Sequence, residues 1–270
     1  ELTNYVPLIR HPAYDMGLVL LALGVLAPAA RLLANLPGAK IKETPVVFGA
    51  AAASVVYIVA LACFSIAAAK LYRAGDLQTL REQLFWGGGH VLEFVYTAVM
   101  LTNWMILARR SIGDGVVDPE IFRLSLVLVA VFSLPAPLFY FALQAFSVKQ
   151  HDAYRVLQFV LVLPTLLFSV ALLAGAVKSA SPARWPWRQP AFVALVTSLA
   201  LFAVGGLMGT LISGSDTRTP AHYHAVVTAV SVSSMGMLLT FALDLLGKPI
   251  APERATRLLL LLYGGGQIAA

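Results

Sequence analysis

The chain alternates between long apolar runs and short polar connections. Eight runs stand out, at roughly residues 14–34, 45–70, 84–108, 121–148, 153–178, 189–213, 220–246 and 255–270. A helix needs about 20 residues to cross the hydrocarbon core of a bilayer, and all but the last run supply them. The last is shorter and ends at Ala270 without a polar flank. Inside lipid every backbone N–H and C=O must be satisfied, which leaves helices or closed barrels. The runs are continuous and not broken into short alternating segments, so helices are favoured over a barrel. The pattern predicts an all-α, polytopic transmembrane helix bundle of about eight helices. The connections carry helix-breaking residues, as expected between spans: Pro37-Gly38 and Pro45, then Gly113, Gly115 and Pro119, then Ser181-Pro182, Pro186 and Pro190. None is long enough to hold a soluble domain, so residues 1–270 are expected to form a single transmembrane domain.

Composition supports this reading. Hydrophobic residues make up 59% of the chain and charged residues 12%, against about 25% charged in soluble domains. The single cysteine, Cys63, lies inside an apolar run and supports no disulfide framework. The net charge is +6, but the basic residues sit in the connections, where membrane topology explains them better than nucleic acid does. Arg31, Lys40, Lys42, Arg109, Arg110, Arg123, Lys178, Arg184, Arg188, Lys248, Arg254 and Arg257 fall on one side of the spans. Arg10, Lys70, Arg73, Arg81, Lys149, Arg155 and Arg218 fall on the other. The positive-inside rule assigns the first set to the cytoplasm. No cleavable signal sequence opens the chain, and Glu1 reads like the middle of a protein, so these residues are expected to be part of a longer chain.

Intramembrane ionisable groups are the candidates for chemistry, because they are costly to bury. On the span assignment His11, His90, His222 and His224 sit at the outer ends of helices, and His151 lies in an outer connection. His222 and His224, in PAHYHAVVTAV, are two residues apart, so on a helix they project about 200° from each other. They cannot hold one metal together, but they can serve two partners on opposite sides. Neutral imidazole is the usual protein ligand of heme iron. The competing reading is a pair of interfacial histidines facing water or headgroups. His90 follows Gly87, Gly88 and Gly89, which admit either a neighbouring helix or a flat cofactor. Glu93 shares the helical face of His90 and is either a proton-handling group, a second ligand, or a partner of His90. His11 and His151 are expected to be interfacial. Asp15 and Asp244 lie near span ends, within reach of water. Trp86, Trp104, Trp185 and Trp187 suit an aromatic belt, and Gly205, Gly206 and Gly209 suit helix packing. No nucleotide, phosphate or hydrolase motif is present.

These residues together resemble subunit I of the heme–copper oxidase superfamily, closest to B-type cytochrome c oxidases and nitric oxide reductase-like members. YVPLIRHPAYDMG resembles the entry to that family's fourth helix, and LFWGGGHVLEF its sixth-helix pattern W-x-x-G-H. GTLISGSDTRTPAHYHAVVTAVSVSSMG resembles the tenth helix with its H-x-H, followed by the loop LLGKPI. The resemblance implies that the chain matches the fourth to eleventh helices. It implies His222 as axial ligand of a high-spin heme, His224 as a ligand of a low-spin heme, and His90 as one of three histidines holding copper or non-heme iron. Gly88 and Gly89 would lie against cofactor. It also implies a heme layer toward the periplasmic side of a bacterial inner membrane. Partners would be membrane lipid, other subunits of a respiratory complex, and a cytochrome c or cupredoxin electron donor on the outer side.

The chain departs from the family at the metal site. The two adjacent histidines expected on the seventh helix are Phe139 and Tyr140 here, and the tyrosine expected four residues after His90 is Phe94. Copper prefers three nitrogen ligands, so His90 is read as the remnant, or the repurposed ligand, of an incomplete site. Glu93 and Tyr140 are the candidate proton donors. The resemblance therefore leaves two activities open. One is a terminal oxidase-like subunit that passes electrons to a gas-binding heme. The other is a non-catalytic electron-transfer or structural heme subunit. A transporter without heme would require the H-x-H to be incidental.

Overall fold

The computed structural model describes residues 11–36, 44–74, 80–179, 185–212, 217–248 and 252–269. Arg10, Lys40, Lys42, Arg184, Pro37-Gly38 and Ser181-Pro182, used above, lie outside the described residues. Every described element is helical. In chain order these are α1 (Pro12–Asn35), α2 (Pro45–Ala74), α3 (Leu80–Ser111), α4 (Pro119–Ser133), α5 (Phe139–Ala142), α6 (Val148–Gln158), α7 (Val162–Ser179), α8 (Pro190–Thr210), α9 (Arg218–Met237), α10 (Leu243–Leu245) and α11 (Glu253–Ala269). Taken with the short turns that join α4 to α5, α6 to α7 and α9 to α10, they give seven helical spans long and apolar enough to cross a membrane. The eighth, α11, has 17 residues. At 1.5 Å per residue it is about 26 Å long, short of the ~30 Å hydrocarbon core.

The breaks inside spans have local causes. Pro135 and Pro137 interrupt the fourth span, because proline removes a backbone donor and crowds the preceding turn. Pro164 leaves the Val160 carbonyl without its helical partner, and residues Phe159–Leu161 tighten into a 3-10 turn. Before α6, Phe146 takes a left-handed backbone conformation (φ 64°). The turn is held by Ser147 and Gln150: the Gln150 N–H donates to Ser147 Oγ at 3.3 Å, and the Phe146 N–H donates to Gln150 Oε1 at 2.6 Å. This is a variant of the capping box in which the glutamine side chain reaches the N–H of the residue before the N-cap, while the Ser147 N–H donates to the Gln144 carbonyl.

The chain divides into two compact units, residues 1–98 with 123–165, and residues 99–122 with 166–270. In the first, Tyr57 of α2 donates to the Ala22 carbonyl of α1 at 3.0 Å. Asp15 and Arg81 pair at 2.9 Å and bring the N-terminal ends of α1 and α3 together. His11 caps α1, its Nδ1 accepting from the Ala13 N–H at 3.2 Å. In the second unit, Trp104 Nε1–H donates to Ser198 Oγ at 2.8 Å, and that hydroxyl donates to the Ala229 carbonyl at 2.6 Å. Trp104 and Ser198 are both fully buried. Asn103 donates to Ser233 and Ser234 at 3.3 and 3.2 Å. Small residues make the close approaches that membrane helices need: Gly236 faces Ala194 and Gly264 faces Thr197. Arg110 pairs with Asp244 at 3.2 Å and lies over the Phe241 ring, so α3 and α10 end at the same level.

Candidate functional site

In the second unit α9 carries the H-x-H near its N-terminal end. The two imidazoles leave α9 toward different helices, as their 200° separation requires. His222 reaches α8, where its Nδ1 lies 2.7 Å from the Gly205 carbonyl oxygen. A carbonyl only accepts, so Nδ1 carries a proton, and in the neutral ring Nε2 then keeps its lone pair. Gly209, one turn further along α8, seats the ring: a Cβ there would stand 2.8 Å from both Cε1 and Nδ1 of His222. His224 reaches α11, where its Nδ1 lies 3.2 Å from Gln267 Oε1, which also accepts from Thr228 Oγ1 at 3.4 Å. By the same logic the neutral His224 ring keeps its lone pair on Nε2. His224 is exposed and His222 half-buried. A histidine with Nδ1–H on a carbonyl and Nε2 free is the tautomer that ligates metals, with the carbonyl fixing ring orientation. Both residues fit axial ligation of a heme iron.

The first unit holds His90. It points Nδ1 at the Trp86 carbonyl of its own helix, 2.6 Å away, so its Nε2 is free as well. Its surroundings are aromatic. The Tyr154 ring lies 6.1 Å from His90, 5.2 Å from Phe139 and 5.9 Å from Tyr140. Tyr154 donates to the Ala136 carbonyl at 2.8 Å, and Cys63 Sγ lies 3.9 Å from its hydroxyl. Tyr140, Tyr154 and Phe94 are fully or almost fully buried. Gly87 makes room for the Tyr140 and Tyr154 hydroxyls, and Gly88 for the Phe64 ring at 2.6 Å from an added Cβ. An added Cβ on Gly89 would meet open space. Gly87 and Gly88 thus do packing work here. Glu93 is half-buried one turn beyond His90 and faces the Gln158 side chain. Among the described residues no three His, Cys, Asp or Glu side chains gather at metal-binding spacing. The donor set at His90 does not fit a three-imidazole copper site.

Several contributors escaped the sequence reading. Gln267 is the one amide in the apolar end of α11, and that contrast could have marked it. The Gly205 carbonyl and the Gly209 seat carry no such signal, because a glycine in an apolar helix reads first as packing. Tyr154 stands on one helical face with Gln150 and Gln158 at four-residue spacing. His151 belongs to the interior cluster as much as to the interface. Its ring stacks on Trp86 at 4.4 Å, and Trp86 in turn lies 4.8 Å from His90.

No protein-family model matches the chain. An uncharacterized protein of Aquifex aeolicus is 29% identical over 248 residues, covering 90% of this chain and 59% of that protein. An uncharacterized protein of Rickettsia prowazekii is 22% identical over 265 residues, covering 86% of this chain and 51% of that protein. Cytochrome c oxidase subunit 1 of Thermus thermophilus is 29% identical over 191 residues, covering 62% of this chain and 34% of the oxidase subunit. The chain therefore spans between about a third and three fifths of the length of these curated relatives. The similarity to the oxidase subunit is weak and partial.

Proposed function

We propose that this chain is a heme-binding part of a membrane-integral, cytochrome c oxidase-like respiratory protein, with His222 and His224 as axial ligands of two hemes. The arrangement on α9 carries the reading: two imidazoles, each with Nδ1–H on a carbonyl oxygen of a different helix and Nε2 open. An orienting carbonyl fixes each ring and raises its basicity as a ligand. Heme iron, where bound, would supply a one-electron couple and a site for a diatomic gas. The chain's own groups would orient that iron through His222 and His224 in the second unit, and Glu93 and Tyr140 are the candidate proton-holding groups of the first unit. The electron donor in this reading is a cytochrome c or cupredoxin domain on the outer side. Dinuclear metal chemistry at His90 is not favoured, because the rings packed against it are Trp86 and Tyr154, with Phe139 and Tyr140 packed on Tyr154 and no second imidazole among them. That observation supports the second reading, an electron-transfer or structural heme subunit without a complete metal centre.

Pyridine hemochrome analysis of the full-length membrane protein tests the proposal, and protein without heme refutes it. His222→Ala is expected to abolish carbon monoxide binding by the reduced protein. His224→Ala is expected to remove a six-coordinate low-spin spectrum while carbon monoxide binding persists. Metal analysis separates the two readings. Stoichiometric copper or non-heme iron alongside heme restores the oxidase-like one.

A further inference from the structure

The second unit fixes the direction of its helices contact by contact. α9 meets α8 through His222 and Gly205, Ala229 and Ser198, and Gly236 and Ala194. It meets α11 through His224 and Gln267, and through Val232 and Gly264. Both helices therefore run antiparallel to α9 and parallel to each other. They also touch: a Cβ added to Gly264 would stand 2.7 Å from Thr197 Cγ2. Seven residues, about 10 Å of helix, separate Thr197 from Pro190 and likewise Gly264 from Arg257. Arg257 is thus level with the first residue of α8. The N-cap of α8, Gln189, makes no side-chain hydrogen bond, and Pro190 has no N–H to give. The Phe192 and Val193 N–H groups both donate to the Gln189 carbonyl at 3.1 Å. The N–H of buried Ala191 has no acceptor among the described residues. Nor has Arg257 Nε, which is also buried.

A guanidinium and two helix N-termini at one level all favour negative charge. Arginines in the opening turns of a helix work against its dipole, yet α11 carries two there, Arg254 and Arg257. Glu253 stands in the same turn, but Arg257 Nε does not reach it. Asp244 and Asp114, at this end of the unit, are engaged by Arg110 and Arg109 at 3.2 and 2.8 Å. The surroundings define what kind of anion fits. Trp185, Trp187 and Phe192 pack together at the start of α8, with ring centroids 5.0–6.1 Å apart, and tryptophans gather at the level of lipid headgroups. Past Arg254 and Arg257 their stripe on α11 continues through Leu261 and Ile268, which are 51% and 61% exposed. A cationic start and an apolar continuation on one helix face match a molecule with a phosphate and an acyl chain. We propose that the paired N-terminal ends of α8 and α11 bind an anionic phospholipid. Its phosphate oxygens accept from Arg257 and from the Ala191 N–H, Arg254 balances its charge, and an acyl chain lies along Leu261 and Ile268. A zwitterionic lipid brings its own ammonium, which the two arginines repel, so the site selects a headgroup with net negative charge. The site uses no heme ligand and stands apart from the heme assignment.

Native mass spectrometry of the intact protein tests this. The protein is incorporated into nanodiscs of equal phosphatidylglycerol and phosphatidylcholine, and the lipids it keeps on release are counted. Phosphatidylglycerol is expected to be retained at least about tenfold over phosphatidylcholine, as two arginines at the headgroup require. Arg257→Gln removes a charge-assisted donor and is expected to lower that retention about tenfold or more. Arg109→Gln changes a guanidinium already engaged by Asp114 and should leave retention within about twofold. Equal retention of the two lipids by the unaltered protein overturns the proposal. So does undiminished phosphatidylglycerol on a folded Arg257→Gln protein, or an equal loss in Arg109→Gln. Protein that holds inorganic phosphate but no lipid overturns the lipid as occupant. Where circular dichroism shows that Arg257→Gln does not fold, Arg254→Gln decides: it alters an exposed side chain and should lower retention about fivefold, and unchanged retention there overturns the site.

Discussion

Replacing Gly209 with alanine isolates the seat of His222 from the stability of the helix that provides it. The new Cβ would stand 2.8 Å from His222 Nδ1 and Cε1, where ordinary contact is about 3.5–4.0 Å. The ring must retreat by about an ångström to restore that contact. Its Nδ1 now lies 2.7 Å from the Gly205 oxygen. A retreat of that size carries the pair past about 3.5 Å, where a hydrogen bond no longer counts. The helix does not oppose the change, because Gly209 lies in the last turn of α8, where glycine to alanine gains at most about 0.5 kcal/mol. Folding and ligation should therefore separate. Loss of an orienting partner typically lowers metal affinity by about 10–100-fold, so Gly209→Ala should lose heme while keeping helix content and thermal midpoint. Gly206→Ala is the control, since a Cβ there meets open space. The assay is the heme-to-protein ratio of purified protein, with the iron–imidazole stretch by resonance Raman. Full heme with an unchanged stretch in Gly209→Ala refutes the seat, and so does a Gly206→Ala protein that loses as much.

Other substitutions probe the remaining contacts. Gln267→Leu removes the acceptor of His224 Nδ1 and should weaken that ligand by about 10–100-fold, read as loss of six-coordinate absorption with carbon monoxide binding retained. Ser198→Ala strands the buried Trp104 N–H and should cost about 1–3 kcal/mol in a denaturation midpoint. Ser231→Ala, whose hydroxyl bonds within its own helix, should stay within about 0.5 kcal/mol. Gly88→Ala drives a Cβ to 2.6 Å from the Phe64 ring, whereas Gly89→Ala enters open space. The first should destabilise by about 1–3 kcal/mol through overpacking, and equal midpoints for the two would contradict the packing described for α3.

The eight runs were legible because lipid imposes a length and an apolar content on each span, and a run such as 45–70 meets both along its whole length. The interruptions at Pro135, Pro137 and Pro164 were less legible. They sit inside runs that are apolar throughout, and a proline there bends or tightens a helix without shortening the run. At the candidate site the sequence showed residue types but not partners. His222 and His224 were marked by ionisable chemistry inside apolar surroundings. The acceptors that orient them were not: one is a backbone carbonyl, at Gly205, and the other an amide 43 residues away, at Gln267. Likewise His90 and Glu93 were visible as costly groups on one helical face. The α6 stripe beside them was divided between an interfacial connection and the start of the next span, which hid the spacing of Gln150, Tyr154 and Gln158.

The three histidines share a tautomer but reach it by different routes, and the difference bears on function. His90 takes its acceptor from Trp86, four residues earlier in the same helix. That orientation forms with the helix and survives whatever packs around it. It therefore says little about a ligand, since a helical histidine can adopt it for local reasons. His222 and His224 take their acceptors from α8 and α11, so their open Nε2 atoms exist only when α8, α9 and α11 have packed. Fixing two rings through tertiary contacts costs side-chain entropy, up to about 1–2 kcal/mol for a long side chain such as Gln267. Two interfacial imidazoles would recover part of that cost from the hydrogen bonds themselves, about 0.5–1.5 kcal/mol each. Two axial ligands would gain in addition the orientation on which iron binding depends, which is why the α9 pair, and not His90, carries the proposed heme reading.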